Sequence, residues 1–272
     1  MKHTYKILTL NTWKCDGKYE KRLPVMANGI AESEADIIFL QEDFSTADGS
    51  FDTSGYIANQ LQFHQAKINS RLKIRNLNSL MTHSSSGLAI LSRYPLQNLQ
   101  IVELPSDASD GQRRTMIVEC QLPSGSIQLC NFHLTHLADR DDLRLDQLKH
   151  ILHYLSEMFK GEIFALGGDF NCCPKSPVFE WLEQQQTVEI TNLSKVAEAH
   201  QPSLNPVNGI QSERSLDHLF VGQVGGRASI EYTSIEYVMN KPLGLDRIYP
   251  SDHAGVILEF EHVAELELEA AQ

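Results

Sequence analysis

Ile163-Phe164-Ala165-Leu166-Gly167-Gly168-Asp169-Phe170-Asn171 is the stretch on which the fold turns. Four apolar residues in a row suit a buried strand and are too short for an ordinary helix. Two glycines follow, and behind them stand an acid and an amide, Asp169 and Asn171. A strand that is apolar along its length and polar where it ends carries chemistry to a sheet edge.

Other segments repeat this design. Tyr5–Asn11 alternates Ile7 and Thr9 against Leu8 and Leu10 and closes on Asn11. Asp36–Glu42 holds the run Ile37, Ile38, Phe39, Leu40 and closes on Glu42. His133 lies near the end of Ile127–Leu134, Asp217 opens Leu216–Val221, and Asp252 with His253 opens Ala254–Phe260. Leu88–Leu91 and Thr115–Cys120 are further strands. Strands of opposite direction bring the end of one beside the start of another, so one edge can gather all these polar groups.

Helical periodicity is rarer. Leu23, Met26, Ala27 and Ile30 form one stripe, and Leu148, Ile151, Leu152 and Leu155 form another within Asp141–Met158. A shorter helix starts near Ser176 and includes Phe179 and Trp181. Strands outnumber helices, which predicts an α+β fold of two mixed sheets with helices outside. The polar stretch from Asn69 to Ser86 reads as a mobile loop.

Composition sets the limits. The chain has 272 residues, 42% of them hydrophobic, enough for a sizeable core. Without a linker or repeat, residues 1–262 read as a single domain and residues 263–272 as an acidic, flexible tail. A net charge of −12 argues against a sequence-independent grip on nucleic acid, and neither a Lys/Arg cluster nor a hydrophobic hairpin stands out. No apolar run approaches the roughly 20 residues of a membrane span. The short Ile7–Leu10 run is no secretion signal, so the five cysteines read as reduced thiols of a cytoplasmic protein. No obligate protein partner is evident.

The gathered groups suit phosphate ester cleavage. Carboxylates are hard ligands for Mg²⁺ or Mn²⁺. A further carboxylate can activate water, and histidines and asparagines can hold phosphate oxygens.

Six motifs in order carry a family resemblance: Leu10-Asn11-Thr12-Trp13, Leu40-Gln41-Glu42, Asn131-Phe132-His133-Leu134, Gly168-Asp169-Phe170-Asn171, Ser215-Leu216-Asp217-His218 and Ser251-Asp252-His253. With Gly87 to Pro95 as a middle strand and turn, the chain resembles the endonuclease/exonuclease/phosphatase superfamily. The resemblance implies a DNase I-like, four-layered α/β/β/α sandwich of two mixed, mainly antiparallel sheets. It implies a divalent-metal-dependent hydrolase acting on a phosphoester, either nucleic acid or a small molecule. Glu42 would be the principal ligand of Mg²⁺ or Mn²⁺, with Asn11 and Asp252 nearby. Asp169 would orient or activate the water and Asn171 would position it. His253, partnered by Asp217, would contact the phosphate. His133 would bind phosphate or help protonate the leaving group, and Arg113 or Arg114 would bind phosphate. Asp43 departs from the family pattern and reads either as a second ligand or as the start of a polar loop.

Singly, each motif has a plainer explanation as a turn, a cap or a solvated strand end; their joint order favours function. The competing reading is an inactive binding or regulatory module on the same fold. His136 reads as a rim residue, Cys172 and Cys173 as packing residues, and Trp13 as core or pocket wall. Arg144 and Gln147 share a helix face, from which they either orient the His133 strand or serve as surface or packing residues.

Overall fold

The computed structural model describes residues 2–70, 72–159, 162–185, 189–191, 201–224 and 230–263. The chain runs through β1 (Lys2–Asn11), α1 (Tyr19–Glu32), β2 (Ile37–Thr46), α2 (Thr53–Leu61), β3 (His64–Ile68), β4 (Lys73–Leu77) and β5 (Leu80–Ser92). Then come β6 (Leu96–Leu104), β7 (Arg113–Leu122), β8 (Gly125–His133), α3 (Asp141–Met158), β9 (Ile163–Asp169), α4 (Pro177–Leu182) and β10 (Glu189–Thr191). β11 (Asp217–Gln223), β12 (Ile230–Val238) and β13 (Gly255–Val263) complete it.

One sheet has the order β12-β13-β1-β2-β5-β3, with β4 also paired to β5. The other has the order β10-β11-β9-β8-β7-β6. Each contains one parallel pair, β1 with β2 and β8 with β9. A parallel pair needs a crossover, and α1 and α3 supply the two. Three apolar layers hold the stack. Ile7, Phe39, Ile90, Leu129, Ala165 and Val221 meet between the sheets. Leu8, Leu10, Ile38 and Leu40 pack under α1 and α2. Cys130, Phe132, Phe164 and Leu166 pack under α3 and α4. The fold is the α+β sandwich expected, helices outside two mixed sheets. Central strands covered on both faces explain the continuous apolar runs in the sequence.

Strand parity positions the polar residues. Ile127 and Leu129 of β8 face the inter-sheet layer, so Asn131 and His133 continue along that face. Ile163 and Ala165 lead in the same way to Asp169 on β9, and Tyr5 and Ile7 lead to Asn11 on β1. The inter-sheet core is thus apolar through most of its length and polar at one end.

The region 69–86 departs from expectation. Its residues 73–84 form a β-hairpin: β4 pairs with the first half of β5, from Lys73 opposite Ser84 to Leu77 opposite Leu80. Its turn residues, Asn78 and Ser79, have φ of 51° and 67°. Two positive φ values in a two-residue loop match the twist of a hairpin, but Ser in place of Gly hides the signal. The hairpin also exposes Ile74, Leu80 and Met81, at 56%, 70% and 70%, so an apolar hairpin surface exists after all. Val263, assigned to the tail, still pairs with Lys2, and residues 264–272 lie outside the described residues. No described helix is long and apolar enough to cross a membrane.

β9 is squeezed between β8 and β11, and this makes Gly168 obligatory. Its φ is +141°, and a Cβ there would stand 2.0 Å from the backbone oxygen of Phe132. Gly168→Ala should therefore lower the urea unfolding midpoint by the equivalent of about 3 kcal/mol or more. Gly49, with φ +74° and nothing within 4 Å of an added Cβ, is the control. Gly49→Ala should cost only about 1–2 kcal/mol. Equal losses at the two positions would refute the packing argument.

Candidate active site

Strand register assembles the site. Parallel pairing sets His133 of β8 beside Asp169, and antiparallel pairing sets Asp217 of β11 on its other side. In the other sheet, β13 runs antiparallel to β1, so the residues before β13 return to the end of β1. There the Ser251 hydroxyl donates to the Asn11 carbonyl at 2.6 Å, and the His253 amide donates to the Ser251 hydroxyl at 3.1 Å. Asn205 Nδ2 donates to the carbonyls of Ser251 and His253 at 3.0 and 2.9 Å.

Glu42 arrives by a different device. β2 does not end there but continues to Thr46, with a register shift between Gln41 and Asp43. Glu42 sits at this bulge with φ 54°, out of the strand's alternation. Such a backbone costs about 1–2 kcal/mol for a residue with a Cβ. The result is one cleft lined by Asn11, Glu42, Arg113, Arg114, His133, Asp169, Asn171, Asp252 and His253. Asp217 is fully buried behind them. Every residue singled out from the motifs is at this one place.

Asp169 is the hub. Its Oδ2 accepts from Asn11 Nδ2 at 3.1 Å, and its Oδ1 accepts from the Asn171 amide at 2.8 Å. His133 Nε2 and His253 Nε2 lie 3.4 and 4.0 Å from the same Oδ2. His253 Nδ1 lies 2.8 Å from Asp217 Oδ2, which also accepts from the Ser203 hydroxyl at 2.6 Å.

The two histidines are pushed in opposite directions. Burial opposes a charge on His253, but the carboxylate of Asp217, by charge and hydrogen bond, with Asp169 and Asp252 beyond it, raises its pKa to about 10. His133 is held well below its ordinary value by burial and by Arg113 and His253. At neutral pH one is an imidazolium and the other a neutral ring. Asp169 is pushed up by burial and by Asp217, and Asp252 by burial, with Glu42 adding to it.

Two groupings can be weighed as cation sites. Ligand atoms of Asp169, Asp217 and His253 lie within 4.8 Å of one another. A charged His253 has no lone pair to offer, however, and the second oxygen of Asp217, buried without a hydrogen-bond partner, is balanced by that imidazolium. Glu42, Asp252 and Asn11 fit a hard divalent ion better. There the Lys14 ammonium stands 3.0 Å from Glu42 Oε2, so a positive charge is already drawn to the converging oxygens.

The surroundings sort the remaining residues. Asp43 is neither a ligand nor a loop residue: buried in β2, it accepts from the Ser54 amide and hydroxyl at 2.9 and 2.7 Å and holds the start of α2. Gln147 accepts from the Thr135 amide, and Arg144 donates to the Thr135 and Leu137 carbonyls, fixing the turn after His133. Arg113 is committed to Asp110 at 2.8 and 2.6 Å and to the His133 carbonyl at 3.2 Å. Arg114 pairs with Glu103 at 2.7 Å. His136 lies exposed at the rim, Cys172 packs in the core, and Trp13 walls the cleft beneath the Arg22 guanidinium.

Four residues carried no assignment from the sequence: Ser203, Lys14, Lys73 and Arg75. Ser203 steadies Asp217, and strand patterning holds no sign of it. Lys14 reaches Glu42 because Trp13 and Lys14 both take positive φ. Lys73 and Arg75 join Lys14 and the expected Arg113 and Arg114 in lining the cleft, although no cluster stood out in the sequence. Chain separation concealed it.

A family model described as the Endonuclease/Exonuclease/phosphatase family matches residues 8–253. The chain is 25% identical over 180 residues to the Uncharacterized protein YbhP of Escherichia coli K12, covering 62% of this chain and 67% of that one. It is 29% identical over 80 residues to the Carbon catabolite repressor protein 4 homolog 6 of Arabidopsis thaliana. That match covers 28% of this chain and spans only 10% of the Arabidopsis protein's length. The human Nocturnin catalytic domain with bound sulfate superposes with a TM-score of 0.71 at 18% identity, covering 96% and 95% of the two chains. D. rerio TDP2 complexed with single strand DNA product gives 0.70 at 16%, covering 94% and 98%.

The Asp217–His253 contact sets a measurable titration. The imidazole of His253, followed by NMR, should stay protonated through neutral pH and titrate near 10; Asp217→Asn should bring the value down. Because the folded pKa lies above the ordinary 6.5, this contact stabilises the fold fully below pH 6.5. Its contribution is lost as pH rises through about 10. A His253 that titrates near 6.5 in the unaltered protein would remove the pairing.

Proposed function

The chain belongs to the endonuclease/exonuclease/phosphatase family, and on that premise we propose that it is a divalent-metal-dependent phosphoester hydrolase using an activated water. The carrying observation is the meeting of Asn11, Glu42, His133, Asp169, Asn171, Asp252 and His253 in one cleft, with Asp217 2.8 Å behind His253. Nocturnin's bound sulfate and TDP2's DNA product support the phosphoester reading. The substrate is a phosphoester, nucleic acid or small molecule. The single-domain boundary of 1–262 and a cytoplasmic site of action, on the strength of five free cysteines, belong to the same proposal.

Glu42, Asp252 and Asn11 would hold Mg²⁺ or Mn²⁺, which supplies Lewis-acid polarisation of the phosphoryl oxygen and charge neutralisation when bound. The chain's own groups do the rest. Asp169, its oxygens aligned by Asn11 and the Asn171 amide, takes the proton of the attacking water. Its raised pKa brings it closer to a base useful near neutrality. The His253 imidazolium, oriented and kept charged by Asp217, holds a phosphoryl oxygen as negative charge builds. Neutral His133 binds a second oxygen on the other side of Asp169. Arg114 adds positive charge, and Arg113 acts chiefly by holding the strand of His133.

Hydrolysis of bis(p-nitrophenyl) phosphate tests this reading. Chelation should abolish turnover, and Mg²⁺ or Mn²⁺ should restore it. Glu42→Gln should keep the melting temperature, weaken Mn²⁺ binding, and lower kcat/KM by about 10²–10³-fold. Asp169→Asn should lower kcat by about 10²–10⁴-fold. Undiminished activity in a metal-free sample would sink the mechanism. Inactivity across metal-supplemented nucleotides, DNA, RNA and inositol phosphates would favour a binding module instead.

A further inference from the structure

The cleft is larger than one phosphate needs, with a volume of about 470 Å³, the size of a small-molecule site. The polar groups assigned to the reaction occupy its floor. One wall is the β4–β5 hairpin. Lys73 and Arg75 are two apart on β4, so their side chains share a face, and both line the cleft. Ser84 pairs opposite Lys73 on that same face, and Ser86 also lines the cleft.

Arg75 differs from Lys14, Arg113 and Arg114 in its partners. Lys14 meets Glu42, Arg113 meets Asp110 and Arg114 meets Glu103. Half-buried Arg75 donates instead to neutral oxygens: Nη1 to the Ser84 carbonyl and hydroxyl at 2.9 and 3.1 Å, and Nη2 to the Ser86 hydroxyl at 2.8 Å. No described carboxylate pairs with it. Serine oxygens fix a guanidinium in place but do not neutralise it, and its planar fork still has donors to offer an anion. A half-buried positive charge, oriented and unmatched beside a reacting centre, is arranged for a ligand's negative charge.

We propose that Arg75 and Lys73 form a second anion subsite that takes a second phosphate group of the substrate. This deepens, and rests on, the phosphoester hydrolase reading. The preferred substrate is then a phosphoester bearing another phosphate away from the scissile one. Two sources share that chemistry: a bisphosphorylated small molecule, or the neighbouring phosphate of a nucleic-acid strand.

The test compares the p-nitrophenyl ester of thymidine 5′-phosphate with and without a 3′-phosphate, at one scissile bond and one leaving group. The unaltered protein should favour the 3′-phosphorylated ester by about 10- to 100-fold in kcat/KM, mostly through KM, as expected for added charged hydrogen bonds. Arg75→Gln and the solvent-exposed Lys73→Glu should each bring that ratio towards one. Absence of a preference, or a ratio preserved in both variants, would overturn the subsite. Calorimetry of thymidine 3′,5′-bisphosphate against thymidine 5′-phosphate reads the same preference without turnover. A protein that hydrolyses neither ester but binds the bisphosphate more tightly therefore keeps the subsite and loses the hydrolase. A short DNA strand is the final arm: a loss of its kcat/KM in Arg75→Gln as large as the loss on the bisphosphorylated ester assigns the second phosphate to a strand, and a strand unaffected by Arg75→Gln assigns it to a small molecule.

Discussion

The carboxamide of Asn131 ties the two sheets together beneath the cleft. Its Nδ2 donates to the carbonyls of Leu40 and Ala89 in the opposite sheet, each at 2.9 Å, and its Oδ1 accepts from Gln41 Nε2 at 2.8 Å. Gln41 reaches on to the Thr9 hydroxyl at 3.0 Å. A satisfied hydrogen bond contributes only about 1 kcal/mol net, but each partner left unpaired in a dry core costs about 1–3 kcal/mol. Fully satisfied, the clasp fixes the separation and register of the two sheets. Everything at the cleft depends on that relation, because Asn11, Glu42 and Asp252 come from one sheet and His133, Asp169 and Asp217 from the other.

Above the clasp the packing logic changes. The inter-sheet layer is apolar from Tyr5 and Phe260 through Phe39, Leu129 and Ala165. It becomes amide and hydroxyl at Thr9, Gln41 and Asn131, and ionisable at Asp169, Asp217 and His253. This graded end lets buried charges exist near a dry core. Asp217, fully buried, is held by the Ser203 hydroxyl and by His253. Asp169 shares its two oxygens between an amide side chain and a backbone amide. Glu42 and Asp252 both line the open side of the cleft, and paired carboxylates are the condition for drawing in a cation. A site so arranged is destabilising in itself and is supported by the core below it.

A negative total charge is compatible with cations gathered in one cleft. Lys14, Lys73, Arg75, Arg113 and Arg114 all line the cleft, beside the acids Asp16, Glu42, Asp110, Asp169 and Asp252. Net charge governs solubility and non-specific association; the cleft's own field governs which ligand enters. The composition argues against an indiscriminate nucleic-acid surface and says nothing of cations gathered locally.

The sequence by itself determined the element types wherever burial was two-sided or periodic. The runs at Ile37–Leu40 and Ile163–Leu166, and the stripes of α1 and α3, are signals of side-chain chemistry at fixed spacing, and they survive without tertiary context. It also determined the polar residue types at the strand ends, which are the residues that meet in the cleft. Tertiary structure alone decided their angles and partners. Spacing alone has Glu42 closing its strand; only the pairing of Asp43 with Gly87 and of Gln41 with Leu88 on β5 leaves Glu42 as a bulge turned out of the alternation. Asp43 had two open readings, and the folded chain took a third, because α2 packs its first turn on that carboxylate. The hairpin at 73–92 was invisible because its pattern is polar on one face and its turn lacks glycine. The unmatched charge of Arg75 exists only once that hairpin stands over the cleft. Local spacing records what a residue can do, whereas partners far apart in the chain are set by register and packing, which no window of sequence contains.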